Sequence, residues 1–358
     1  MNEIELSAGP VEYTDTGGDG PVVVFLHGLM MDASLWEEVI AGLSGRHRCL
    51  APVLPLGAHR LATKPDADLS LPGIARLVDE FLDRLGLREV TLVGNDTGGA
   101  LVQLLIADGA PRVSRAVLVS CDAFDNFPPG LTGRTLVAAG KLTPGMFGLF
   151  MQQLRLRPVR RLPIAFGWLT KRGDAATARW IRPVLTRPAI RRDTVRVLRA
   201  MAADKRLLAR AAESLPSFDR PALVVWARRD RVMPPQHGTR LAALLPHASL
   251  AEIDDSYTLI PLDQPARLTQ LLREFLGTPL PLVTTAAGRS RRSRPRCTRR
   301  GRPRARRSTR SRQGTAPAGR SAGRSAARPA APNHRAPAAR RSASLPAAGA
   351  IRRRPAPA

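Results

Sequence analysis

A run of strand-forming residues, VTLV, turns directly into GNDTGG over residues 90–99, and the apolar helix ALVQLLIAD follows without a gap. A strand that reverses so sharply into a helix brings two backbones too close for a β-carbon, so small residues must stand at the contact. Gly94, Gly98 and Gly99 meet that requirement. The apex residue is Asp96. Such a turn holds it at the carboxyl edge of a sheet with a helix amino terminus behind it, where negative charge is stabilised.

The flanking chain supplies the sheet. Residues 4–7 and 11–15 alternate apolar and polar side chains around Gly9-Pro10, which predicts an opening hairpin. PVVVFLHG carries a continuous apolar run at 22–26, as in parallel strands covered on both faces, and ends in His27-Gly28-Leu29. ASLWEEVIAGL reads as a helix, RCLAPVLPL as a strand and residues 71–85 as a helix leading into the turn at Asp96. VSRAVLVSCDAF is a further buried strand, ending near Cys121 and Asp122. Residues 125–216 are rich in Pro, Arg and Met and show no strong strand, which predicts a mostly helical insertion. Within it, PGMFGLFMQQL has the composition of a packed helix or of the apolar wall of a pocket. Strand and helix then alternate again through PALVVWARRD, HGTRLAALL, SLAEI and ARLTQLLREFL. Repeated alternation predicts an α/β fold, a largely parallel sheet with helices on both faces.

The formal charge of +27 is unevenly placed. From Leu282 onward there are 22 Arg and no Asp, Glu or Lys, which leaves +5 for the rest of the chain. Residues 279–358 are mostly Arg, Ala, Pro, Ser and Gly, a composition that cannot bury enough surface to offset the entropy of ordering, so a disordered tail is expected. Unstructured arginine-rich chain attracts phosphate backbones without sequence preference. No aromatic residue is interleaved to stack on bases, and a nonfunctional extension accounts for the same composition. Cys49, Cys121 and Cys297 are too few and too scattered for a disulfide framework or a zinc site. The opening residues MNEIELSAG have no apolar core of signal-peptide length, and no run of about 18 apolar residues occurs, so a cytoplasmic protein without a membrane span is expected.

Taken together, FLHGLM, VGNDTGG, the acid in VVWARRDRVMPP and the phrase IDDSYTLIPLDQP resemble the α/β-hydrolase superfamily over residues 1–278. The turn is similar to the nucleophile elbow G-x-S-x-G with aspartate in place of serine, as in the branch containing haloalkane dehalogenases and epoxide hydrolases. The resemblance implies a core of residues 1–124 and 217–278 and a helical cap of about 125–216. It implies Asp96 as nucleophile, the backbone N–H groups of Leu29 and Thr97 as oxyanion donors, and Asp230 or Asp122 as the acid that orients histidine. It also places His27, Tyr257 and Thr258 beside a small-molecule substrate, with no cofactor and no metal.

The resemblance breaks at the histidine, because Asp255-Ser256-Tyr257-Thr258-Leu259-Ile260-Pro261 puts Thr258 on its position. A carboxylate nucleophile leaves an alkyl ester on itself, and a base must activate water to hydrolyse it. Threonine cannot take that proton near neutral pH. His59, on a loop that opens toward the carboxyl edge, is one candidate replacement, and a buried Asp122 or Asp230 is another. Asp254 and Asp255 read as turn residues, and His27 as a shaper of the oxyanion loop. Subclass signals are thin: Thr97 stands where an indole holds halide, Tyr13 and Tyr257 lie outside the cap, and only cap arginines could hold a carboxylate. Two activities therefore stand open, a hydrolase acting on a small apolar molecule and a ligand-binding protein on the same fold.

Overall fold

The apolar run predicted at 22–26 forms β3 (Val22–Leu26), and its burial on both faces follows from helices lying above and below it. In the computed structural model, which describes residues 1–278, it lies near the middle of an eight-stranded sheet ordered β1-β2-β4-β3-β5-β6-β7-β8. β1 (Asn2–Leu6) and β2 (Gly9–Asp15) are antiparallel, and β2 runs antiparallel to β4 (Arg48–Pro52). From β4 onward, β3, β5 (Val90–Asp96), β6 (Val113–Cys121), β7 (Ala222–Ala227) and β8 (Ala248–Ile253) are all parallel. The hairpin turns at Ser7-Ala8 rather than at Gly9-Pro10. Gly9 takes the φ of +116° that closes the turn and enters β2 opposite Leu6, and Pro10 pairs with Glu5.

The chain runs outward from β3 to β4, then crosses to β5 on the other side of β3. Such a switch point leaves a crevice at the carboxyl ends of the two central strands, where ligands of open α/β sheets bind. Helices α1 (Glu37–Leu43), α2 (Leu71–Arg84) and α3 (Thr97–Ala107) cover the sheet. α2 starts cleanly because Ser70 accepts from Gly73 N–H and Pro72 occupies the first turn. α3 is apolar all round and almost wholly buried, as a helix pressed between a sheet and further helices must be.

Between β6 and β7 the chain forms α4 (Gly130–Ala139), α5 (Pro144–Gln152), α6 (Arg157–Arg160), α7 (Asp174–Trp180), α8 (Arg182–Thr186), α9 (Pro188–Ala203) and α10 (Leu207–Ser214). The first six stand over the crevice. α10 does not: it packs against α3, because its apolar face of Leu208, Ala211 and Ala212 is buried there. The insertion is fastened from below. Trp180 Nε1–H reaches Asp32 Oδ1 and Ser34 Oγ, both at 3.0 Å, and Asp193 on α9 accepts from Thr63 N–H at 2.9 Å. α11 (Pro235–Leu244), α12 (Ile260–Asp263) and α13 (Pro265–Gly277) complete the fold. Among the described residues no helix is long and apolar enough to cross a membrane. The predicted basic tail, with Cys297, lies outside the described residues.

Candidate active site

Asp96 ends β5 with φ 56° and ψ −129°, a left-handed backbone that costs a non-glycine residue about 1–3 kcal/mol. The neighbours hold it there. A β-carbon on Gly98 would run into the carbonyl of Leu26, one on Gly94 into the carbonyl of Gly98, and one on Gly28 into the Asp96 carboxyl itself. The glycines therefore let the elbow close against β3.

The closure aims three donors at one oxygen. Leu29 N–H (3.2 Å), Thr97 N–H (2.7 Å) and Thr97 Oγ1–H (3.1 Å) all lie within reach of Asp96 Oδ1, leaving Oδ2 without a protein donor among the described residues. His27 shapes the loop that delivers Leu29. Leu54 N–H donates to His27 Nε2 at 2.9 Å, so the ring proton sits on Nδ1 and is donated to Gly28 O at 2.9 Å. Burial pushes the His27 imidazole down to about 4, which keeps it neutral. It anchors the loop and is absent from the lining of the cavity above Asp96.

Three carboxyls end three adjacent strands. Asp96, Asp122 and Asp230 are all buried, and no cation is among the groups acting on any of them. Burial pushes Asp96 up, against the pull of its three donors. It pushes Asp122 well above the usual carboxylate range, and the Asp96 charge adds to that. Asp230 rises to about 6, again through burial, although Met233 N–H (2.8 Å), Val232 N–H (2.9 Å) and Thr258 Oγ1–H (2.8 Å) all donate to its Oδ1. The Cys121 thiol, surrounded by the same three acids, is pushed well above its ordinary value, first by burial.

Thr258 is thus bonded to Asp230, at the place where the resemblance expects histidine. Its backbone is fixed independently, since Asn95 Nδ2 lies 2.8 Å from Thr258 O and 2.8 Å from Val119 O. Asp122 meets Asp96 through one side chain: Thr97 Oγ1 is 3.0 Å from Asp122 Oδ2. Sequence reasoning used only the backbone of Thr97 and gave Asn95 no role. The sole trace of the second contact is a hydroxyl just after Asp96 and an acid just beyond the next strand.

A cavity of about 110 Å³ opens above Asp96. Leu29, Met30, Thr97 and Val232 form its floor with Asp96, and Leu136, Phe150, Met151 and Phe166 are among the insertion residues that wall it. Leu162 and Ile164 line it and are also exposed, so it reaches solvent there. Asp96 is the one ionisable residue in the lining. No arginine, tyrosine or tryptophan lines it, so no arginine of the insertion stands there to hold a substrate carboxylate, and neither an indole nor a phenol faces Asp96.

His59 and Tyr257 are brought elsewhere. His59 Nε2 faces Asp193 Oδ2 at 3.6 Å and Gly57 N–H faces its Nδ1 at 3.3 Å, so it supports α9 from below and is absent from the cavity wall. The Tyr257 ring lies between Lys171 Nζ at 5.0 Å and the Arg231 guanidinium at 4.9 Å, again outside the wall. Asp255 pairs with Lys171 and Arg172, which hold its carboxyl down at about 2, and Asp254 faces Arg228 at 3.5 Å. Among the described residues no group of three or more His, Cys, Asp or Glu is placed to hold a metal ion.

This architecture agrees with comparisons to known proteins. Residues 21–265 match the model of the alpha/beta hydrolase fold family. The chain is 26% identical over 276 residues to haloalkane dehalogenase 2 of Mycobacterium tuberculosis, covering 76% of this chain and 93% of that protein. It is 29% identical over 285 residues to a cis-3-alkyl-4-alkyloxetan-2-one decarboxylase of Xanthomonas campestris, covering 74% of this chain and 92% of the relative. The crystal structure of an enol-lactonase from Burkholderia xenovorans superposes with a TM-score of 0.60 at 19% identity, over 77% of this chain and all of the other. With most of its described length matched by the family model, the chain belongs to the alpha/beta hydrolase fold family and is a hydrolase-family enzyme.

Proposed function

We propose that this chain is a hydrolase in which Asp96 Oδ2 attacks carbon in a small, neutral, apolar molecule and breaks a C–O or C–halogen bond. The carrying observation is the division of labour at Asp96. All three donors fall on Oδ1, and Oδ2 is left facing a cavity with no other ionisable wall. Attack by Oδ2 makes an ester whose carbonyl oxygen is Oδ1. When water then adds at Cγ, the negative charge develops on Oδ1, where Leu29 N–H and Thr97 N–H already point. The bond classes agree with what the relatives are named for, a haloalkane in one and a four-membered lactone in another.

The apolar wall favours neutral substrates, because a substrate carboxylate would meet Asp96 with no arginine beside it. Mass spectrometry after exposure to 1-bromohexane or 1,2-epoxyhexane is the direct test. Attack predicts an adduct on the peptide containing Asp96 or formation of the alcohol product, and neither in Asp96→Asn. Product formed equally by Asp96→Asn, or no adduct and no product across a panel of apolar halides, epoxides and lactones, overturns the reading. A ligand-binding protein without turnover is the second reading, favoured by Thr258 at the histidine position. It predicts saturable binding that Asp96→Asn leaves intact.

A further inference from the structure

Thr97 Oγ1 lies 3.1 Å from Asp96 Oδ1 and 3.0 Å from Asp122 Oδ2, yet a hydroxyl has one hydrogen to donate. Both contacts are hydrogen bonds only if one of the two carboxyls carries a proton. Asp96 Oδ1 already accepts from two backbone N–H groups, which favours the ionised form. The proton therefore belongs on Asp122. Its other oxygen agrees: Asp122 Oδ1 is buried with no partner, which a neutral C=O tolerates far better than a carboxylate does. The backbone is held firmly, since Gln103 Nε2–H donates to Asp122 O at 2.8 Å. The chain of bonds then runs from Asp122 Oδ2–H to Thr97 Oγ1, and from Thr97 Oγ1–H to Asp96 Oδ1. Thr97 itself lines the cavity.

We propose that Asp122 and Thr97 form a proton relay into the cavity, which protonates an oxygen leaving group as Asp96 attacks and takes the proton back when water cleaves the ester. This rests on Asp96 being the nucleophile. In the first step Oδ2 bonds to the ring carbon of an epoxide, and the C–O bond breaks with its electron pair on oxygen. Thr97 Oγ1–H passes its proton to that oxygen, and Asp122 replaces it. Asp122 is now ionised beside an uncharged ester, so the repulsion that favoured its protonation has gone. In the second step water adds at Cγ and gives one proton through Thr97 to Asp122; its second proton passes from the new hydroxyl on Cγ to the departing oxygen, so the alcohol leaves and Asp96 is again a carboxylate. Epoxide and water become diol, and both acids return to their starting forms.

A halide needs no proton to leave. Asp122 then stays protonated, cannot act as the base, and the ester persists. The relay thus selects leaving groups that depart as alkoxides, as from strained cyclic ethers, for turnover. Alkyl halides become reagents that label Asp96 once. Thr97 is the group that touches substrate, and Asp122 acts through it as a positioning residue.

The test compares 1-bromohexane with 1,2-epoxyhexane on the full chain. Wild type should form a persistent adduct with the bromide, at one per chain, and should turn over the epoxide. Asp122→Asn keeps a donor to Thr97 Oγ1 and loses the transferable proton. It should label with the bromide at a rate within about 3-fold of wild type and lose epoxide turnover by about 10²-fold or more, the scale of general acid–base catalysis. Thr97→Val should also lose epoxide turnover by about 10²-fold or more, and Thr97→Ser should restore it. Epoxide turnover within about 3-fold of wild type in both Asp122→Asn and Thr97→Val overturns the relay while bromide labelling upholds the nucleophile. Catalytic release of hexanol from the bromide by wild type also overturns the relay. Absence of any Asp96 adduct or product overturns the nucleophile, and the relay with it.

Discussion

Thr258 Oγ1 donates to Asp230 Oδ1 at 2.8 Å, so the acid ending β7 orients a hydroxyl that has no basic nitrogen behind it. Asp230 Oδ2 is buried with no hydrogen-bond partner among the described residues. Replacing Thr258 by valine keeps the shape and removes a hydrogen bond to a buried acid. The expected cost is about 1–2 kcal/mol, read as a lower midpoint in urea. Because the relay runs through Thr97, epoxide turnover should stay within about 3-fold of wild type. A far larger loss of turnover would place Thr258 in the chemistry.

Asp230 also makes a pH signature. Its folded value of about 6 lies above the ordinary 3.8, so the native state holds a proton that the unfolded chain releases first. Between these values the folded form binds more protons, and stability falls as pH rises, levelling off above about 6. Asp230→Asn removes that group. Relative to the variant, wild type should lose about 2 kcal/mol between pH 4 and pH 7, the greater part of what the whole shift is worth, by the usual free energy per pKa unit. Denaturant unfolding at pH 4, 5.5 and 7 measures the difference, and parallel curves for the two proteins would contradict it.

The pairing of His59 with Asp193 predicts a purely structural phenotype. His59→Leu takes away the group facing Asp193 Oδ2 at 3.6 Å and leaves the buried acid with Thr63 N–H and, on its other oxygen, Arg196 at 3.5 Å and Arg192 at 3.8 Å. Stability should fall by about 1–3 kcal/mol, because a buried acid has lost a partner. Bromide labelling of Asp96 in the folded protein should proceed at the wild-type rate. A selective loss of epoxide turnover in His59→Leu would instead return the base to His59.

Gly98→Ala is expected to be among the most damaging single methyl additions in the chain. The new β-carbon meets the backbone carbonyl of Leu26 in β3, which cannot rotate aside as a side-chain end could. The penalty should reach about 3 kcal/mol or more, seen as loss of soluble protein or a collapsed melting temperature. Gly45→Ala, where nothing lies within 4 Å, is the matched control and should be near neutral.

How far these features could be read from residues alone follows the range of the interactions. β3, β5 and α3 announce themselves through continuous apolar runs and through the glycines that let β5 turn, all local signals. The same holds for Asp96, because the elbow encodes its position within ten residues. The hairpin tip was misplaced by two residues because Gly9 looked like a breaker, whereas its positive φ lets it begin β2. The Thr97 to Asp122 contact joins residues 25 apart, and the Thr258 bond to Asp230 spans 28. Neither has a sequence period. His59 misleads for the same reason: its partner Asp193 lies far along the chain, on α9, whose approach to residue 59 no local pattern reveals.

Asn95, one residue before Asp96, ties the carbonyl of Thr258 to the carbonyls near the end of β6 through its side-chain amide. The backbone that presents residue 258 is therefore set by a neighbour and not by residue 258 itself. Chemical identity at that position can be exchanged while the scaffold stays as it is. What residue 258 presents to Asp230 is thereby separated from what holds its loop in place, and the two can be altered one at a time.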